Sequence, residues 1–203
     1  MSHLPEPHPF EPFLPKNAKV LALGSFPPQP HRWSIDFYYP NFGNDFWRIM
    51  GLLFFGDREY FVIPGAKKFD KEKIVRFCED KGLAMYDTAC EVIRLKDNAS
   101  DRFLQVTKAT DIDALLRQIP QCRAIVATGQ KATDVLCAHF SCVQPPMGGF
   151  TSLTIPSQNQ VHQEENSVLR IYRLPSTSRA YPLALEKKAA AYRRMFEDLG
   201  MLE

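Results

Sequence analysis

The feature that most narrows what this chain can fold into is a rhythm of short apolar runs, each breaking into a polar loop. The runs are KVLALG (19–24), GLAMYD (82–87), RAIVATG (123–129) and VLRIYRL (168–174). Near-continuous β-branched and leucine stretches of this length read as strands buried on both faces. Segments with helical spacing lie between and after them. One spans 44–55, with a cap-competent Asn44 at its start, and 70–81 ends at Gly82. Another, 111–118, halts before Pro120, and 131–140 and 185–199 complete the set. Strands that alternate with helices pair in parallel, because the crossover returns the chain to the same end of the sheet. The pattern predicts an α/β fold of three layers, α/β/α, around a central four-stranded parallel sheet.

The remaining stretches are assigned by exclusion. Residues 1–16 hold five prolines and no apolar period, so they are expected to form an extended arm packing at Phe10, Phe13 and Leu14, with 17–203 as a single domain. Residues 88–110 are polar and mixed, which predicts a long loop with a turn of helix; 145–167 predict a loop or small hairpin. The 203 residues suffice for one sizeable core. Twenty-five basic against 23 acidic residues give +2, which excludes a histone-like binder and requires any anionic partner to be held by a local patch. No apolar stretch reaches bilayer length and the first residues lack a basic-then-apolar signal pattern, so the expectation is a protein away from membranes, unexported and monomeric. Five cysteines without a C-x-x-C pair fit thiols in a reducing cytoplasm and argue against structural zinc or an iron–sulfur cluster. His31, His139 and His162 have no ligand spacing, so no metal is expected.

Ligands of open parallel sheets bind beyond the carboxyl ends of the strands. That rule selects the loops GSFPPQPHRWSIDFYYPNFGN, YDTACEV, TGQKAT and LPSTSRAY. The first is dense in aromatic residues, among them Phe26, Trp33, Tyr38, Tyr39, Phe42, Phe46 and Trp47, which offer flat faces for a planar ligand beside the polar Ser25, His31, Asn41 and Asn44. On local grounds Phe42, Phe46 and Trp47 read as core, Asn44 as a helix cap, and Ser176, Thr177 and Ser178 as a turn. Asp87 reads as a cap or loop-orienting acid, with a catalytic role as the alternative. Lys187, Lys188, Arg193 and Arg194 read as a solvated helix face.

Taken together, GSFPP, YYPNFGNDFW and LPSTSRA resemble the signature motifs of the uracil-DNA glycosylase superfamily. The resemblance is nearest its hypoxanthine-DNA glycosylase and mismatch-specific uracil glycosylase branches; GLAMYDT and ATGQKA resemble the middle strands of that family. It implies a cofactor-free enzyme that hydrolyses the N-glycosidic bond of uracil or hypoxanthine in DNA during base excision repair. Asn44 would position the water, with Ser25 where other branches place a catalytic Asn or acid. Gly24, Phe26, Pro27, Tyr39 and Phe46 would form the base pocket, Tyr39 stacking on the extruded base. Pro175, Ser176, Thr177, Ser178 and Arg179 would hold the DNA backbone. Pro28 stands where the family usually has Gly, and Thr128 where the nearest branch often has Asn.

The chemistry suits such residues. Glycosidic cleavage passes through an oxocarbenium-like sugar with charge leaving on the base, so oriented dipoles and a held water serve without a strong nucleophile. Flipping costs a few kcal/mol, which an aromatic platform can offset. Arg170, Arg173 and Arg179 supply charge beside the last loop. No lysine lies in the signature motifs, which argues against a Schiff-base lyase step. The competing reading is a non-catalytic nucleic-acid or nucleotide binder on the same fold. TGQKAT lacks the phosphate-loop spacing, and no G-x-S-x-G elbow supports a serine hydrolase.

Overall fold

A computed structural model describes residues 4–96, 101–155 and 167–202. The strands are β1 Glu6–Pro7, β2 Val20–Gly24, β3 Leu83–Asp87, β4 Ala89–Arg94, β5 Leu104–Ala109, β6 Ala124–Thr128, β7 Phe150–Ile155 and β8 Ser167–Leu174. The helices are α1 Phe46–Phe55, α2 Lys71–Lys81, α3 Ile112–Gln118, α4 Gln130–His139 and α5 Leu185–Asp198. Among the described residues no helix is long and apolar enough to cross a membrane.

Every residue of β2, β3 and β6 is buried, as near-continuous apolar runs require when both faces of a sheet are covered. These strands and β8 pair in parallel in the order β3-β2-β6-β8. The expected four-stranded parallel sheet needs one correction: β7 adds a fifth strand, antiparallel to β8 and aligned from Phe150 opposite Tyr172 to Ile155 opposite Ser167, so the sheet is mixed. The turn-forming composition of 145–167 concealed it. As an edge strand β7 alternates exposed and half-buried positions instead of forming an apolar run. From β2 the chain crosses to β3 in one direction, and from β3 to β6 and β6 to β8 in the other. Right-handed crossovers therefore place α1 and α2 on one face and α3 and α4 on the opposite one. The last helix, α5, packs on α1 and β8.

Two of the helix ends follow the sequence signals closely. Asp70 accepts the Lys73 amide with its side chain at the start of α2, and Gly82, at φ +69°, ends it. The α1 start differs from expectation. Asp45 is its N-cap residue and Asn44 precedes it, accepting the Phe46 amide on Oδ1 at 2.9 Å, so the helix begins at Phe46 rather than Asn44.

The stretch expected as a loop between 88 and 110 is largely a β-hairpin. β4 and β5 pair antiparallel with a register shift near Glu91, and β1 adds to the other side of β4. Polar, solvent-facing positions on β5 hid it, only Leu104 being buried there. The arm docks onto both sheets. Glu6–Pro7 pairs with β4, and Phe13 bridges Met85 on the outer edge of β3. Phe10, Phe13 and Leu14 are half-buried against the main core. An apolar void walled by Val20, Phe46, Met50, Val126 and Tyr192 lies inside that core, as packing space between helices and sheet.

Candidate active site

The chain leaves β2 and β6, which are neighbours, in opposite directions, and their carboxyl ends therefore open a crevice at the topological switch point. Gly24 and Thr128 terminate the two strands. A Cβ on residue 24 would lie 2.4 Å from Asp87 Oδ1 and 3.8 Å from Thr128 Oγ1, so glycine is what lets the carboxylate close over this strand end. The Thr88 amide donates to Gly24 O at 2.9 Å and fixes the register of that approach.

Tyr39 enters the same crevice from the first loop. Its hydroxyl is 2.9 Å from Thr128 Oγ1, and its ring stacks on Phe46 with centroids 3.8 Å apart and planes at 4°. The backbone there is left-handed, φ +50°, a conformation costly for a tyrosine and held by these two contacts. Burial pushes the phenol well above its ordinary range, the Thr128 bond opposes this, and the Asp87 charge adds to it.

The last loop closes the rim. Asp45 N–H donates to Thr177 O at 2.9 Å, and Lys188 Nζ donates to both Asp45 Oδ2 (2.9 Å) and Ser178 O (2.8 Å). Ser176 packs over Gly129, where a Cβ would lie 3.6 Å from Ser176 Cβ, and the Arg179 side chain lies over Gly43, where a Cβ would lie 3.6 Å from Arg179 Cδ. Tyr192 donates to Pro175 O at 3.2 Å from α5. Thr177 is buried, Ser176 half-buried, and Ser178 and Arg179 exposed. Tyr39 and Ser176 thus both reach the carboxyl end of β6, and the half-buried Asn44 immediately precedes Asp45, whose amide is tied to Thr177 O.

Some expected residues stand elsewhere. Phe46, expected against the base, is 2% exposed and backs the Tyr39 ring from the core. Phe26 packs on the small-sheet cluster of Ala89, Val92 and Leu104 and edge-on to His8; Pro27 is buried with its carbonyl accepting from Arg94 at 2.6 Å. Ser25 follows Gly24 and is half-buried. Lys188, expected on a solvated face, is 1% exposed, because its stem crosses the helix–loop junction to reach Asp45. Arg170 pairs in register with Ala124, at the opposite end of the sheet from the crevice. Arg173 is tied to Gln130 and Pro145 O.

Sequence reasoning missed two residues. His8, its side chain 2% exposed, lies between Tyr86 and Phe26 with Nε2 2.9 Å from Asp87 Oδ2. The other ring nitrogen, Nδ1, lies 2.8 Å from Phe10 O and 3.1 Å from Phe10 N, so the arm's own backbone orients the ring. Arg94, 6% exposed, joins Glu6 to the first loop. A histidine among prolines and an arginine within a polar stretch gave no periodic signal. Among the described residues no group of His, Cys, Asp or Glu is placed to hold a metal ion.

No protein-family model and no curated protein matches the chain. Among solved structures, the chain is similar to a solution structure of a protein from Methanosarcina acetivorans, provisionally described as a uracil DNA glycosylase. The two share 20% identity at a TM-score of 0.59, over 95% of this chain and 99% of that one. The likeness is one of fold.

Proposed function

We propose that this chain is a monofunctional DNA glycosylase that hydrolyses the N-glycosidic bond of a deaminated base, uracil or hypoxanthine. The observation that carries this reading is the junction of the first and last loops at the switch point, where Asp45 N–H meets Thr177 O and Lys188 joins Asp45 to Ser178. It gathers an aromatic ring, a side-chain amide and a hydroxyl-rich loop around one crevice. The provisional description of the structural neighbour supports the same reading.

In this reading the extruded base lies on the face of Tyr39 that Phe46 does not cover. Asn44 retains a lone pair on Oδ1 beyond the bond to Phe46 N–H and orients water toward the sugar. Amides of the turn 24–27, with Ser25, face the departing base, and Ser176, Thr177, Ser178 and Arg179 hold phosphates at the rim. A neutral amide is enough for an oxocarbenium-like transition state, in which bond breaking runs ahead of water attack.

The test incubates the protein with oligonucleotides containing one uracil or one hypoxanthine, followed by heating in alkali. Strand breaks at the modified position, dependent on the protein and absent with unmodified DNA, are expected. Binding without breaks would assign the chain to the non-catalytic alternative.

A further inference from the structure

The cysteines are free thiols, and the candidate crevice uses none of them. Three stand apart: Cys78 is fully buried in α2, Cys90 lies in β4, and Cys122 precedes β6. The other two are brought together. Cys137 is in the last turn of α4, and Cys142 lies just beyond the helix end.

The way α4 stops explains why they meet. Phe140 caps the helix, and Ser141 turns left-handed at φ +50°, a conformation that a residue with a side chain adopts at a cost. Ser141 N–H then donates to Ala138 O at 3.4 Å, and Cys142 N–H donates to Cys137 O at 3.0 Å. These are the two nested bonds of a Schellman turn. Such a turn sets its first and last residues side by side and ordinarily fills that contact with two apolar side chains. Here both positions carry thiols, the arrangement that a disulfide needs. Burial, and then the adjacent Cys142 thiol, pushes the Cys137 thiol up to about 11; Asp134 adds to this and Arg173 opposes it. Cys142 is half-buried between Ser141 and Val143, both exposed, on the side from which a small molecule arrives.

We propose that Cys137 and Cys142 form a reversible thiol–disulfide exchange site, whose co-reactant is a low-molecular-weight disulfide. In the first step the Cys142 thiolate attacks one sulfur of that disulfide. A mixed disulfide forms on Cys142, and the other half leaves as a thiolate and takes up a proton. In the second step Cys137 gives up its proton and attacks Cys142 Sγ, which forms the intrachain bond and expels the remaining half as a thiol. The pair loses two electrons and two protons, and the small disulfide gains them. The mixed disulfide also replaces the neighbouring thiol that helped to hold the Cys137 proton, which readies the second attack. The pair lies at the opposite end of α4 from Gly129 and the crevice, so the proposal stands independently of the glycosylase reading.

The test exposes the folded protein to oxidised glutathione, quenches with acid and maps each cysteine by peptide mass spectrometry, with no DNA present. The expected product is a single Cys137–Cys142 cross-link, lighter by two hydrogen atoms and reversed by dithiothreitol. Cys78 and Cys122 should stay unmodified, because burial holds both thiols well above their ordinary range. Cys137→Ser should stop with glutathione attached to Cys142. Cys142→Ser should react about tenfold more slowly than Cys137→Ser, since its remaining thiol is the one kept protonated. The wild-type map decides the outcome even where a serine variant misfolds. A glutathione adduct that persists on either member of the wild-type pair, a cross-link to another cysteine, or no reaction of the pair in the folded chain overturns the proposal. Equal rates in the two folded serine variants would overturn the assignment of Cys142 as the attacking sulfur.

Discussion

Tyr39 carries two loads that its variants can separate. The ring stacks on Phe46, and the hydroxyl meets Thr128. Tyr39→Phe removes one hydrogen bond and should cost about 0.5–1.5 kcal/mol of stability, with stacking retained. Tyr39→Ala removes the platform as well and should weaken binding of a flipped base by about 1–3 kcal/mol, in addition to a cavity penalty. Asn44→Ala gives the contrast. Loss of its contact with Phe46 N–H should cost stability on the scale of a cap, about 1 kcal/mol. Loss of a water-holding amide should slow single-turnover cleavage by about 3 kcal/mol or more, with DNA binding nearly intact. Melting, binding and single-turnover measurements on the three variants separate these effects. A normal cleavage rate in folded Asn44→Ala would reduce the residue to a structural role.

At the scale of elements, the last helix and the first helix are joined through a buried ion pair. Lys188 and Asp45 are far apart in sequence, and the lysine is 1% exposed. Removing one member of such a pair strands the other, so Lys188→Met should destabilise by about 3–5 kcal/mol, and Asp45→Asn in the same chain should restore part of the loss. Denaturant melts of the two single variants and the double variant measure the coupling. The elements also divide by what could be read from sequence. The four parallel strands and α2 were legible because full burial and paired cap signals are local properties of the chain. The β4–β5 hairpin and β7 were not, because an edge or solvent-facing strand has no continuous apolar run and owes its form to its partners. Lys188 was misread for a related reason: helical position places a residue on a face, yet a long stem can carry its charge to a distant carboxylate.

Across the whole molecule, the near-neutral charge means that any grip on DNA is concentrated rather than spread. Arg179, exposed above Gly43 on the last loop, is the exposed cation best placed on the rim. Arg179→Ala should weaken binding to all sequences alike and reduce the dependence of log affinity on log salt by about 0.7–0.9, the share of one phosphate. An unchanged slope, read from titrations between low and moderate salt, would remove Arg179 from the contact list. The crevice itself was legible in outline, since strand-end loops could be chosen from topology alone. The contribution of the arm was not, because His8 meets Asp87 across 79 residues of chain with no pattern to announce it.

That long reach has a consequence in time. The arm is made before the strands it docks on, yet Glu6, His8 and Phe13 have partners on β3 and β4. The loop they close is long, and the entropy of closing it is repaid only once those strands have themselves been laid down. The rim waits longer still, since Lys188 lies in the final helix. A growing polypeptide therefore carries the aromatic loop, the carboxylate and the serine-rich loop in full before the rim is fastened. The crevice is finished only once α5 has been made, and a chain halted before Leu185 would hold all its loop residues with the lysine that ties the rim together still missing.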